Sequence, residues 1–347
     1  MRMPLSGLSV VYVRRRGSAL ALLIAVAVLL ELAAGTGLTY LAGFDNVRVA
    51  AGRFDGFWLL VLVGALLISI VGYYLAYQGI FRVEDGPRLS GAQMRAVVAA
   101  GFGGFLAHGG GALDQYALEA AGAEEADAKA RVAALAGMEH GVLAIGGCAA
   151  AIILLASGPG QPPLDFTLPW AVFPVPGFLI GFWAADRYRD RFRGQAGWRA
   201  KVGTFLDSIH IIRVLFSHPL RWGSALWGMA LFWATDAFAC WAGLATFGLH
   251  MNMAALFVGF ATGMLFTRRT GPLAGAGVLA LVLPLTIWVS GAPFAVAIVG
   301  VFVYRVLALL LPMPVSLAAL PTLRKMAEGQ EKPTGAPAEP ALRSGSG

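Results

Sequence analysis

Eight ionisable residues fall within or beside strongly apolar stretches of the chain: Glu31, Asp114, Glu139, His140, Asp236, Arg305, Arg268 and Arg269. A charge at the centre of a bilayer costs about 2.5–3.5 kcal/mol even on the lenient insertion scale, so such residues turn inward and mark candidate sites. Arg305, Arg268 and Arg269 have the planar donor fork that grips a phosphate with two parallel hydrogen bonds. Asp114 and Glu139 would face a head-group amine or relay a proton, with Asp236 helping to set the polarity of the same region. Two bland alternatives stand beside this chemistry. Asp236 and Arg305 both lie near mid-stretch, where a buried ion pair between them would be purely structural. His140, next to Glu139, could titrate near neutrality or simply pack, and the same holds for His108. Glu31, on the first apolar stretch, needs a partner or a lumen-facing position that the sequence does not specify.

The elements holding these residues must be membrane helices. The chain has 347 residues, 58% hydrophobic and 13% charged, with a mean hydropathy of +0.71. A soluble domain carries roughly 25% charged residues, so polar surface is too scarce here to cover a water-soluble globule. That excludes a cytosolic enzyme and a disordered chain. The net charge of +7 does not indicate nucleic acid as a partner, because the basic residues flank apolar stretches and form no single patch. Cys148 and Cys240 both sit in apolar stretches, read as small buried hydrophobes. The spacing of a zinc site, a Walker loop, HExxH and GxSxG are all missing, so neither an enzyme nor a cofactor is expected.

About 20 apolar residues cross the hydrocarbon core. Six stretches qualify: Ser18–Leu41, Gly56–Ile80, Val132–Ala156, Phe166–Ala184, Trp222–Phe247 and Pro293–Val315. Two more are interrupted. Ala92–Ala121 is broken by Gly101, Gly103, Gly104 and Gly109-Gly110-Gly111, and Met253–Ser290 by Arg268-Arg269-Thr270-Gly271-Pro272. Each reads as two half-length helices meeting at an elbow, a form that survives at membrane depth only inside protein or beside a water-filled cavity. The expectation is therefore an all-α polytopic membrane protein with six transmembrane helices and two re-entrant hairpins, or eight spans if the hairpins cross. With the N-terminus inside, nearly all basic residues fall on the cytoplasmic side, including the row Arg187, Arg189, Arg191 and Arg193. Leaving aside the second elbow, only Arg48 and Arg53 fall outside, so both termini are expected in the cytoplasm. Residues 1–17 form a basic N-terminus, 18–320 the membrane domain and 321–347 a polar tail expected to be disordered. Thr204–Leu220 mixes apolar residues with Asp207, His210, Arg213 and His218, and reads as a helix lying along the interface.

Two segments share one plan. Gly56–Ile80 leads to Gly101-Phe102, an elbow at Gly111-Ala112-Leu113, then Ala121-Gly122-Ala123 and the stretch from Val132. Trp222–Phe247 leads to Gly259-Phe260, an elbow at Gly271-Pro272-Leu273, then Ser290-Gly291-Ala292 and the last stretch. Under the topology above one unit runs outside to inside and the other the reverse, which makes them inverted repeats. Matching Gly/Pro-interrupted segments in inverted halves point to a substrate site at the repeat interface. Half-helix N-termini there, carrying about half a positive charge, suit an anionic head group. Close packing of helices through glycine is the alternative account of these runs.

The stretch Pro272-Leu273-Ala274-Gly275-Ala276-Gly277-Val278 is followed by Ser290-Gly291-Ala292-Pro293 and by Val303-Tyr304-Arg305-Val306-Leu307, with Leu311-Pro312 closing the last span. Together these resemble the transmembrane region of lysylphosphatidylglycerol synthases and their stand-alone flippase-like relatives. Leu89-Ser90-Gly91, the first elbow, Ala121-Gly122-Ala123-Glu124-Glu125-Ala126 and Glu139 resemble the family's first hairpin. The likeness covers roughly residues 18–325. Three places depart from the family pattern. The first elbow lacks the Pro and Arg of the family, Ala280 stands near the place of an acid, and Glu139-His140 replaces an acid–Arg pair.

The resemblance implies a bacterial inner-membrane translocase moving an anionic phospholipid or lipid-linked substrate between leaflets. Gly111, Gly271, Pro272, Gly275 and Gly277 would shape its cavity, beside the charged residues named above. It also leaves open a non-catalytic subunit for a glycosyltransferase or aminoacyl-lipid enzyme, while a secondary transporter of a small anion fits the repeats alone. The aminoacyl-transferase domain of the synthases has no counterpart in this sequence. Cysteines at Gly110 and Thr270 are expected to resist a membrane-impermeant thiol reagent at the cytoplasmic face. Rapid cytoplasmic labelling of Thr270→Cys would instead mean eight crossings.

Overall fold

A computed structural model describes residues 17–102, 111–158, 162–192, 194–265 and 277–330. Every regular element among them is helical: α1 (Gly17–Ala42), α2 (Phe44–Ala51), α3 (Gly56–Arg82), a 3₁₀ turn (Val83–Asp85), α4 (Gly91–Phe102), α5 (Gly111–Ala120), α6 (Glu125–Ala156) and α7 (Leu164–Val172). There follow α8 (Pro174–Phe192), α9 (Trp198–Ser217), α10 (Gly223–Ala245), α11 (Met253–Met264), α12 (Val278–Val289), α13 (Phe294–Leu310) and α14 (Met313–Gln330). Short polar side chains start several of them. The Asp55 carboxylate accepts the Phe57 N–H at 2.9 Å to begin α3, and the Asn252 side chain accepts from Ala254 and Ala255 to begin α11.

Among the described residues, five helical segments are long and apolar enough to cross a membrane: Gly56–Asp85, Glu125–Ala156, Leu164–Phe192, Gly223–Ala245 and Phe294–Ala319. They coincide with five of the six stretches read from the sequence, and the remaining one, Ser18–Leu41, forms the 26-residue α1. The two interrupted stretches each become a pair of short helices, α4 with α5 and α11 with α12, of 12, 10, 12 and 12 residues. Twelve residues rise about 18 Å, well short of a hydrocarbon core about 30 Å thick. The glycine-rich elbows themselves, 103–110 and 266–276, lie outside the described residues.

Two details differ from the reading of the sequence. The stretch Phe166–Ala184 is not one straight helix: it breaks at Phe173, between α7 and α8, because Pro174 has no N–H to continue the ladder. The last helix runs to Gln330, past the residue-321 start expected for the tail, since Leu323–Glu328 are good helix formers.

The core is built on the α3–α10 contact. The helices run antiparallel, with Gly72 against Gly228 and Phe232, Gly79 against Ala225, and Leu62 against Gly243. A Cβ at Gly72 would stand 2.6 Å from the Phe232 amide nitrogen, and one at Gly228 2.7 Å from the Gly72 carbonyl oxygen. Such backbone-to-backbone approach needs glycine on both sides. Gly243 and Gly300 make a similar contact between α10 and α13. The gradient of burial follows: 67% of the apolar window of α10 is buried, against 6% in α7–α8, which marks the latter as peripheral.

Two polar fastenings complete the frame. Buried Arg131 of α6 donates to the carbonyls of Val83 and Phe81 at 2.8 and 3.1 Å, closing the C-terminal end of α3, while its Nε holds Asp127 at 2.8 Å. On α9, Asp207 pairs with Arg189 and Arg213 with Asp186 of α8, and His210 lies 3.5 Å from Glu84 in the 3₁₀ turn. The charged residues of the segment read as an interfacial helix thus fasten α9 to the bundle.

Gly72→Leu should prevent the α3–α10 contact and yield aggregated or unfolded protein in detergent size-exclusion chromatography. Gly64→Ala, on the same helix with open space at its Cβ, should elute and melt like the parent.

Candidate functional site

The buried acids gather along the α3–α10 seam, and tyrosines hold them there. Tyr73 and Tyr77 stand four residues apart on α3, so both point to one face. The Tyr77 hydroxyl donates to the Asp114 carboxylate of α5 at 3.1 Å, and the Tyr73 hydroxyl contacts Glu139 of α6 at 3.4 Å. The two rings meet edge to face, 5.0 Å between centroids. Asp114 and Glu139 are both wholly buried. From α10 the Trp233 indole N–H donates to the Glu139 carbonyl oxygen at 2.7 Å. Further along α10, Asp236 accepts from the Tyr304 hydroxyl of α13 at 2.9 Å.

An unbroken row of rings joins the two acid sites. It runs from Tyr73 through Phe232, Trp233 and Phe260 to Tyr304, with successive centroids 4.7, 4.7, 6.0 and 6.3 Å apart. Carboxylates in a low-dielectric interior are costly unless hydrogen-bonded, and each of these three receives at least one phenol donor. The arrangement holds three carboxylates at fixed, hydrogen-bonded positions on neighbouring helices. Among the described residues no three His, Cys, Asp or Glu side chains stand together as a metal site requires.

Arg305 does not join Asp236, contrary to the ion pair open from the sequence. Its guanidinium reaches Glu31 on α1, with Nη2 3.0 Å from Oε1 and both residues buried. The neighbouring Tyr304 takes Asp236 instead, because adjacent residues on a helix point in directions about 100° apart. Gly111 opens α5, where a Cβ would meet Val132 at 3.1 Å, and Gly277 precedes α12 with φ of +77°, against Leu30. Arg268, Arg269, Gly271, Pro272 and Gly275 lie outside the described residues. His140 turns its Nδ1 to the Ala136 carbonyl at 2.8 Å and lines a cleft beside α6.

That cleft, of about 870 Å³, opens between α6, α7–α8 and α9 and ends at Thr262 and Leu265 of the α11 terminus. Its walls are apolar apart from His140, Asp165 and Thr262. Gly137, Gly141, Gly177 and Gly181 keep both facing helices thin, and a bond of 2.9 Å from Trp170 Nε1 to Thr262 Oγ1 ties its rim to α11. A second apolar cleft of about 370 Å³ lies between α1, α2 and α13.

No protein-family model matches the chain, and no curated protein matches it.

Tyr73, Tyr77, Trp233 and Arg131 are not singled out by the sequence, and Tyr304 enters only as part of the resembling motif around Arg305. A tyrosine inside an apolar span is itself a signal, since its hydroxyl needs a polar partner when buried. Tyr73→Phe and Tyr77→Phe should each lower stability by about 1–2 kcal/mol, read as an earlier unfolding midpoint in SDS titration. Phe at exposed Tyr40 should leave the midpoint unchanged.

Proposed function

We propose that the chain is a membrane lipid translocase, flippase-like in the sense of the lysylphosphatidylglycerol synthase transmembrane region, in a bacterial-type inner membrane. It moves an anionic phospholipid or lipid-linked substrate between leaflets by rearrangement of two inverted units about the seam. Each unit is a long helix, a re-entrant pair of short helices and a second long helix, with six crossings in all and both termini cytoplasmic.

The observation that carries this reading is the antiparallel α3–α10 pair standing at the head of two like-ordered segments. Antiparallel equivalents are what inverted repeats require. Short helices following each of them, glycine-rich joins and buried carboxylates in both segments agree with a midplane site. The lipid part of the reading draws support from the 870 Å³ cleft: apolar and open at the flank of a peripheral helix pair, it suits acyl chains better than a soluble anion.

In this scheme Asp114, Glu139 and Asp236 set the polarity of the passage, and Arg305 with Arg268 and Arg269 holds phosphate. Membrane lipids are the partners, and a lipid-modifying enzyme or glycosyltransferase in the same membrane would supply or consume the cargo.

Reconstitution into liposomes carrying a head-group-labelled phosphatidylglycerol, with an impermeant bleaching agent outside, is expected to bleach beyond the outer-leaflet half. Gly181→Phe fills the cleft, where only Ile209 lies near the added carbon, and should slow bleaching by about tenfold while the protein remains folded. Protected inner-leaflet label with the parent protein would overturn the reading. Uptake of a labelled small anion in the same vesicles would instead make it a secondary transporter.

A further inference from the structure

We infer that Glu31 is the resident anion of an amphiphile site, holding Arg305 in the place that the phosphate of a bound anionic lipid takes. The inference rests on the lipid-handling reading above and assigns a role to α1, which belongs to neither repeat.

The pair is built unlike a structural salt bridge. Glu31 is 4% exposed and Arg305 7%, so both charges are removed from solvent. They meet through a single contact, Nη2 to Oε1 at 3.0 Å. Arginine and carboxylate can close two parallel bonds, and that fork geometry is the stronger form. Here Arg305 Nε and Glu31 Oε2 are both buried with no hydrogen-bond partner among the described residues. Each unmet polar group at such depth is destabilising. The guanidinium therefore keeps donor capacity that a tetrahedral oxyanion, with more acceptor atoms, would use.

Its surroundings say what carries that anion. A small enclosed cavity borders the pair, walled by Gly35, Leu38, Ala280, Pro284, Ile298, Val301 and Phe302. Gly35, Ile298 and Phe302 also wall the 370 Å³ cleft between α1, α2 and α13, so the cavity beside the charges and the apolar groove share a wall. The α1 face beside it presents exposed Leu29 and Leu32, and α13 is one of the helices able to cross a membrane. A groove so placed is bathed in hydrocarbon, and an acyl chain is the occupant that matches its walls. Charge at the closed end and hydrocarbon along the groove together specify an anionic lipid.

Exchange would work by competition. A phosphate entering from the groove displaces Oε1 from Nη2 and adds a bond to Nε, and Glu31 moves away with α1. Gly277, at the end of the second elbow, abuts Leu30, so movement of α1 is felt where α12 begins.

The test is equilibrium binding, independent of any transport. Protein in phosphatidylcholine nanodiscs is titrated with a short-chain phosphatidylglycerol, with phosphatidylcholine of the same chain length and with inorganic phosphate. Removing the competitor in Glu31→Gln should tighten phosphatidylglycerol binding by at least about tenfold. Phosphatidylcholine, whose choline cation offsets its phosphate, and inorganic phosphate, which has no chain for the groove, should bind the variant no better than the parent. Glu31→Gln with Arg305→Gln should lose the gain, and Thr36→Trp, which fills the groove, should abolish binding. If Glu31→Gln fails to fold, Glu31→Asp retracts the carboxylate without changing charge and should show a smaller gain in the same direction. Unchanged phosphatidylglycerol affinity in every folded variant would overturn the inference, as would an equal gain for inorganic phosphate, which needs no groove. Tight binding without lipid movement in liposomes would leave the site standing and remove the translocase reading alone.

Discussion

Backbone contact between α3 and α10 is the constraint on which the other arrangements depend. With Gly72 lodged against Gly228 and Gly79 against Ala225, the helices can neither slide nor rotate without driving a carbonyl into a neighbouring backbone. That lock aims everything attached to it. Tyr73, next to Gly72, and Tyr77, one turn further on, are turned towards α5 and α6, where Asp114 and Glu139 lie. On the other helix, Trp233 and Asp236 follow Phe232 and reach α6 and α13. In hydrocarbon the apolar effect does not hold helices together, so close packing and a few internal hydrogen bonds must do so. The seam supplies both.

Charge is handled locally. Among the described residues, Glu31, Asp114, Glu139 and Asp236 each have a phenol or guanidinium brought to them by a neighbouring helix. The aromatic row between Tyr73 and Tyr304 keeps the two acid sites apart while leaving them mechanically joined, since a tilt of one ring must move the next. Around this rigid middle, α7–α8 and α1 are held by fewer contacts, and both large apolar clefts open beside them. Stability is thereby distributed unevenly, highest at the seam and lowest at the flanks.

Much of the architecture is legible from hydropathy alone. Long apolar runs such as Gly56–Ile80 carry a signal that needs no partner to be read, and the interrupted runs stood out because glycine and proline punctuate them. The break at Phe173 was equally visible in Pro169, Pro174 and Pro176, but the run is apolar throughout and reads as continuous. Partnerships were harder. Glu31 and Arg305 are 274 residues apart, and nothing in local spacing joins them. Asp236 with Arg305 looked natural because both are charged and mid-span, yet helix geometry hands Asp236 to the adjacent Tyr304. Tyr73 and Tyr77 give no such signal because their rings count as apolar in any composition measure, while their single hydroxyls do the pairing.

Arg131 has a double life in time. As the chain is made, Arg131 is at first one more positive charge near the start of a long apolar helix, without the carbonyls it later meets. In the finished protein the same guanidinium is spent on Val83 and its neighbours, 48 residues upstream. The end of α3 therefore stays unsealed throughout the synthesis of everything between them, and becomes complete only when the start of α6 arrives. Assembly of this part of the fold is thereby given an order: α6, made after α3, is the helix that closes it.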